Sequence, residues 1–340
     1  MKRRDILALG VLSAVGADAA LALLAPGRLL AHDLARPYRI YMVTWRGLTD
    51  VERGFKEYMA SRKIAIEYIM RDAEQNPKRL AEFVEEILRL KPDLVYTWGT
   101  SATIGIVGKQ GNSGGFIEDI PTVFTMVASP VGANLVPNLL SSGRNITGVS
   151  HFAPLSAQLA AMASYQPFSK IGVLYNSAEQ NSLAGVRELR GLAVQDGFQL
   201  FEQTFRRNAA GKPVAEGIAE RVRALKAAGA SWLYIGSDSY LFTQLDIVVA
   251  AANACNLATF ATTEAVINSP AGVLAGLVCK YFSVGQFTAY KAEQILVKKR
   301  AASDIPIETL KRFSLIIRIE AAKKLGKLPP LELFNYAEFI

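Results

Sequence analysis

The sequence predicts an α/β protein made of two doubly wound lobes, and three observations carry that prediction. Short, apolar, β-branched runs alternate with amphipathic stretches of ten or more residues, the pattern of parallel sheets covered by helices on both faces. The alternation occurs twice, about 130–140 residues apart, a spacing too long for a solenoid and suited to sister domains. With 340 residues, 51% of them hydrophobic and 20% charged, the chain is too long for one ordinary core but has the composition of a globular protein.

The first block opens with the strand YRIYMVTW (38–45) and the second with KIGVLYN (170–176), each followed by a polar loop and an amphipathic helix. Deeper in the blocks, AEFVEEILRLKPDLVYTWGTSAT (81–103) and AERVRALKAAGASWLYIGSDSYL (219–241) both run helix, turn, buried strand, then a Gly-Ser/Thr loop that starts another helix. A further strand follows in each, PTVFTMVASP (121–130) and LATFATTEA (257–265); the first is apolar from Thr122 to Val127 and surfaces at Ala128-Ser129-Pro130. GRNITGVSHFAP (143–154) suits a crossing between lobes. After Phe282 come a basic-ended helix over about 285–300, the strand FSLIIRI (313–319) and a short helix before Leu328-Pro329-Pro330. This tail is long enough to cross back, but pattern alone does not give its topology.

In doubly wound sheets the ligand crevice lies at the carboxyl ends of the strands. Trp45-Arg46, Gly99-Thr100-Ser101, Ser129, Asn176, Ser237-Asp238-Ser239 and Thr263-Glu264 are therefore expected on the rims. Thr100-Ser101 and Asn181-Ser182 fall at expected helix starts, where hydroxyl and backbone N–H groups bind a carboxylate or simply cap the helix. Trp45 reads equally as a stacking wall or a core residue, and one of Asp238 and Glu264 as a plain cap.

The net charge of +8 does not indicate nucleic-acid binding, since beyond residue 31 no Lys/Arg run is longer than Lys298-Lys299-Arg300. Residues 1–31 hold four basic and two acidic side chains, and a basic start precedes an uncharged stretch, Ile6–Ala17, that is too short to span a bilayer. This reads as a secretory signal, by the general or the twin-arginine route (Arg3-Arg4), with an uncleaved anchor as the alternative; either places the rest in the periplasm. Cys255 and Cys279 read as a disulfide or as two buried thiols.

Catalysis finds little support. No G-x-G-x-x-G follows either opening strand, Gly108-Lys109 is followed by Gln110 rather than Ser or Thr, and no G-x-S-x-G elbow is present. His32 and His151 are the only histidines, and no His/Cys cluster has metal-ligand spacing. We expect no enzyme, no catalytic residue, no metal and no cofactor.

The stretches RGFKEYMA, KPDLVYTWGT, DIPTVFTMVASPVGANLV, GRNITGVS, KIGVLYNSAEQNS and DIPIETLKRFSLIIRIEAAKKLG, in this order from Tyr38 onward, resemble the substrate-binding proteins of ABC transporters in the tryptophan/tyrosine-type group. The resemblance implies the type I periplasmic-binding-protein fold, two Rossmann-like lobes with a hinge that close like a Venus flytrap on a small molecule. It implies a monomer that presents its ligand to an inner-membrane ABC permease. With crossings near 149–153, 281–285 and 307–312, the expected lobes are 38–150 plus 283–308 and 151–282 plus 309–340. A periplasmic sensor that signals occupancy to a membrane kinase or chemoreceptor is the alternative on the same fold.

Four positions depart from the family pattern. Thr49 stands where the first loop tends to carry Asp, Ser129 replaces the acid of Thr-Asp-Pro, His151 that of Val-Ser-Asp, and Lys280 that of Gly-Val-Asp. Loss of acids and gain of a lysine favour an anion, so of the two expected ligand classes, an amino-acid-like molecule and an organic or aromatic carboxylate with no required α-ammonium, the second is preferred. The expected site comprises Trp45, Arg46, Thr49, Thr100, Ser101, Ser129, His151, Asn176, Asn181, Asp238, Glu264 and Lys280.

Overall fold

Residues 36–340 are described by the computed structural model and contain two large sheets; the expected secretory segment 1–31 and His32 lie outside the described residues. The first sheet holds β1 (Tyr38–Thr44), β2 (Ile66–Asp72), β3 (Leu94–Trp98), β4 (Thr122–Thr125) and β5 (Ile146–Val149) in the order β2-β1-β3-β4-β5. All its pairings are parallel, and β3, β4 and β5 are buried at every position. Helices α1 (Asp50–Ser61), α2 (Lys78–Leu90) and α3 (Thr100–Val107) connect the strands.

The second half repeats this winding. It has α4 (Leu155–Tyr165), β6 (Lys170–Tyr175), α5 (Gln180–Asp196), β7 (Gln199–Thr204), a small hairpin of β8 (Arg206–Arg207) and β9 (Pro213–Val214), α6 (Ile218–Ala227) and β10 (Trp232–Ile235). It continues through α7 (Ser239–Thr243), α8 (Leu245–Ala254), β11 (Ala258–Ala261), α9 (Glu264–Ile267) and β12 (Ala275–Val278). The parallel order β7-β6-β10-β11-β12 matches that of the first sheet, which accounts for the repeat in the sequence. Separate apolar clusters cover its two faces, one around Leu233 and Val248, the other around Trp232 and Phe260.

The tail does what pattern could not specify. Helix α10 (Tyr281–Leu296) leaves the second sheet and packs on α1, β4 and β5. The helices touch through glycines: a Cβ at Gly285 would overlap the Val51 carbonyl, and one at Gly54 the Phe282 carbonyl. The helix starts four residues earlier than its sequence pattern suggests, directly at the crossing. The chain then runs beside β5, where Glu308 bridges Val149 and Thr147 Oγ1 donates to the Ile305 carbonyl at 2.7 Å. It returns as β13 (Ser314–Ile317), antiparallel to β12, followed by α11 (Ile319–Leu325) and the edge strand β14 (Glu338–Phe339).

Strand β4 is shorter than the apolar run Thr122–Val127 predicts. Its neighbour β5 pairs Val149 with Thr125 and then leaves the sheet, so no ladder remains beyond it. Met126 turns with φ of +57°, a conformation unusual for a side chain of its size. Cys255 and Cys279 are free thiols, so they form no disulfide; Cys279 is buried, as one reading expected, while Cys255 is only half-buried. No helix among the described residues is long and apolar enough to cross a membrane.

Candidate functional site

The loops that leave the carboxyl ends of β1, β3 and β4 meet those that leave β6, β10 and β11 around one small cavity. β1–β3 and β6–β10 are the points where strand order reverses in each sheet, the place where doubly wound folds form their crevices. Of the predicted site residues, Trp45, Arg46, Thr100, Ser101, His151, Asn181 and Asp238 line this cavity, together with Trp98, Glu179, Ser239, Phe242 and Tyr281. Its space is about 30 Å³, room for a water or two and too little for an aromatic ring.

Arg46 is its cation. The guanidinium carbon lies 5.2 Å from the Trp98 ring centroid and 4.4 Å from that of Phe242, between an aromatic of the first sheet and one of the second half. Among the described residues no carboxylate forms an ion pair with it. Next to it, Gly99 precedes α3 with φ of +87° and no side-chain cap. The turn is fixed by Thr103, whose Oγ1 donates to the Gly99 carbonyl at 2.8 Å and lies 2.9 Å from Thr97 Oγ1. The first-turn amides of α3, with the positive end of its dipole, are therefore left for an anion.

The cavity also gathers unmet hydrogen-bonding capacity. Trp98 Nε1, Thr100 Oγ1, His151 Nδ1, Asn181 Oδ1 and Tyr281 OH are buried without a hydrogen-bond partner. Each of these residues is nine-tenths or more buried. All five line this one cavity, and among the described residues only Arg318 Nε shares their condition elsewhere. Buried polar groups left without partners cost about 1–3 kcal/mol each, so their convergence points to a ligand. Burial, helped by Arg46, pushes the His151 imidazole down to about 3, and the ring is neutral at physiological pH.

The two acids of the cavity are already engaged. Asp238 accepts Asn176 N at 2.6 Å, Ser182 Oγ at 2.5 Å and Leu241 N at 2.8 Å. Glu179 accepts Ser239 Oγ at 2.7 Å and Ser239 N at 2.9 and 3.1 Å. Burial raises both carboxyls above their ordinary values, and for Glu179 the Asp238 charge adds to it. Among the described residues no three His, Cys, Asp or Glu side chains gather as a metal would require.

The remaining predicted residues sit elsewhere. Ser129 lines a second, larger cavity, where its Oγ accepts Gly132 N at 3.3 Å. Thr49, Asn176, Glu264 and Lys280 line neither of these two cavities. Thr49 caps α1 in a reciprocal pair with Glu52: its Oγ1 accepts Val51 N, and its N–H donates to Glu52 at 2.7 Å. Asn176 closes its own turn by accepting Ala178 N at 3.0 Å. Glu264 accepts Tyr281 N at 2.5 Å. Lys280 Nζ lies 2.8 Å from Glu338 and 4.0 Å from Glu264, so carboxylates outside the cavity take up its charge.

Sequence reasoning missed Trp98, Glu179, Phe242 and Tyr281. Trp98 had a usable signal, since it ends a fully buried strand immediately before the Gly-Thr-Ser turn. Phe242 had none, because α7 reaches the cavity only through the arrangement of the two halves, and Tyr281 had only its place in the expected crossing near 281–285.

Comparison with known proteins gives the family and the fold. The sequence matches the family model described as ABC transporter substrate binding protein over residues 40–338. It is 25% identical over 294 residues to a tyrosine-binding protein of Clostridioides difficile (strain R20291), covering 84% of this chain and 79% of that one. Among solved structures it resembles a conserved domain protein of Vibrio cholerae (TM-score 0.76, 22% identity, 89% and 99% of the two chains covered). It also resembles an ABC domain from Streptococcus pneumonia in complex with L-Trp (TM-score 0.73, 22% identity, 88% and 100% covered). The fold of such neighbours is that of the type I periplasmic binding proteins.

Proposed function

Because the chain belongs to the family of ABC transporter substrate-binding proteins, we propose that it is a periplasmic receptor that closes two lobes on a small organic or aromatic carboxylate. In this reading it acts as a monomer and delivers the ligand to an inner-membrane permease for import. The carrying observation is the convergence of Arg46, the uncapped start of α3 and the buried, unpartnered donors Trp98 Nε1, Thr100 Oγ1 and Tyr281 OH on one cavity.

The ligand's carboxylate takes the α3 amides, the Thr100 and Ser101 hydroxyls and Arg46. Trp45, Trp98, Phe242 and Tyr281 supply apolar walls for its body. The tyrosine-binding relative and the L-Trp complex support an aromatic body. An α-ammonium is not required, because Glu179 and Asp238 are already held by protein donors and His151 is neutral. A cavity of about 30 Å³ must open to admit a ring. The lobes 38–150 plus 283–308 and 151–282 plus 309–340 part at the three crossings to do so.

Thermal-shift titration tests the reading. Phenylpropionate and related aromatic carboxylates are expected to raise Tm at least as much as phenylalanine, tyrosine or tryptophan. Strong stabilisation by the amino acids and none by the carboxylates would overturn it.

A further inference from the structure

A second cavity lies beside the crossings, separated from the polar one by a wall of Asn181, Gly236, Ser237 and Asp238 that both share. It holds about 320 Å³, against about 300–1,000 Å³ for pockets that take small ligands. Its walls come from the β4–β5 segment (Val131, Leu139), the first crossing (Phe152), the start of α4 (Leu155), α5 (Val186) and the returning tail (Ile307). Val131 and Leu139 remain 45% exposed at the edge, a cost that an apolar occupant would relieve.

This cavity differs from its neighbour in having no cation among its lining residues. Glu188, Asp238 and Glu308 line it, and no lysine or arginine does. Glu308 is matched by Lys291 Nζ at 2.8 Å, and Asp238 is bonded to protein donors. Glu188 makes no ion pair among the described residues. Asn181 adds a buried acceptor without a partner: its Nδ2 donates to the Ser237 carbonyl at 2.8 Å, while Oδ1 receives nothing. An occupant is therefore offered apolar walls, an acceptor and acidic groups, and an anion is disfavoured.

We propose that this cavity is a second binding site, distinct from the carboxylate site, for a small aromatic or aliphatic molecule that is neutral or carries a single amine. Because its walls come from both halves and from two crossings, an occupant bridges the lobes. The proposal does not depend on which ligand the polar cavity takes.

Helix α5 provides the means of testing it. Gly185 lines the cavity, and a Cβ there meets nothing within 4 Å; Gly191, on the same helix, is equally open but outside the lining. Gly185→Leu places a side chain in the cavity at a helical position that accepts one, and Gly191→Leu is the control. Benzylamine, phenol and benzoate are titrated into each protein and followed by ligand-observed NMR. We expect benzylamine and phenol to bind the wild type, with NOEs from their ring protons to the methyls of Val131, Leu155 and Val186. Gly185→Leu should weaken both at least tenfold, and Gly191→Leu should leave them unchanged. Benzoate should give no NOE to those methyls. No binding of benzylamine or phenol at millimolar concentration, or binding that survives Gly185→Leu, would overturn the proposal, and benzoate in this cavity would overturn its charge selectivity. The wild-type NOEs decide the question even if Gly185→Leu fails to fold.

Discussion

Two cavities share one wall and differ in almost every other respect. The polar one is small, carries Arg46 and five unpartnered polar atoms, and stands at the strand-order reversals of both sheets. The apolar one is about ten times larger in volume, carries carboxylates without a cation, and stands beside the crossings. The contrast teaches that volume and recognition are separate properties. The small cavity holds most of the directed chemistry, because each unmet buried group contributes only if a ligand supplies the missing partner.

The largest effect should come from removing the cation on one side of the shared wall. Arg46→Ala is expected to cost about 1.5–3 kcal/mol of carboxylate affinity, the worth of a charge-assisted hydrogen bond. Calorimetry should find benzylamine binding unchanged, and equal losses of both ligands would erase the distinction between the cavities.

His151 gives a pH signature to the polar side. Its folded value of about 3 lies below the ordinary 6.5, so the unfolded chain binds more protons between those limits. Its contribution to stability is complete above pH 6.5 and is lost as pH falls toward 3, by up to about 1.4 kcal/mol per pH unit. Glu179 and Asp238 act in the opposite sense: their folded values are raised, so the contribution they make while protonated is lost as pH rises from the ordinary carboxylate range through those raised values. Urea titrations of His151→Gln against the wild type separate the two, and a mutant with the wild-type slope between pH 4 and 6 would remove His151 from the account.

Gly185→Leu should raise stability by up to about 1 kcal/mol through helix propensity, measured by urea unfolding, while blocking the apolar cavity. A large loss instead would mean that the cavity cannot accept a side chain. The smallest effect is expected from Lys280→Ala: less than about 1 kcal/mol of stability, as for a surface ion pair, and less than a twofold change in carboxylate affinity by calorimetry. A loss of several fold would return Lys280 to the site.

Much of the fold was legible because its signals are local. Alternation, burial and the repeated helix–turn–strand–loop unit mark the elements of both sheets, and strand ends mark the rims. Seven of the twelve predicted residues line the polar cavity, since a strand's carboxyl end is a position that the sequence itself defines. The residues that lie outside both cavities, Thr49, Asn176, Glu264 and Lys280, have partners within the protein. Thr49 is used by Glu52, three residues away, and Lys280 by Glu338, 58 residues away; a polar side chain reads the same in sequence whether its partner is a ligand or another part of the chain.

The sequence by itself determined two doubly wound halves, the loops that form their crevices and, by family resemblance, a solute receptor. Only the tertiary structure decided which crevice residues meet across the lobes. That meeting depends on the route of the tail, on the glycine contact between α1 and α10 and on the three crossings, which join residues far apart in the chain. For the same reason the apolar cavity has no sequence signature: its walls are ordinary core-type residues, and only their assembly from both halves leaves a space between them.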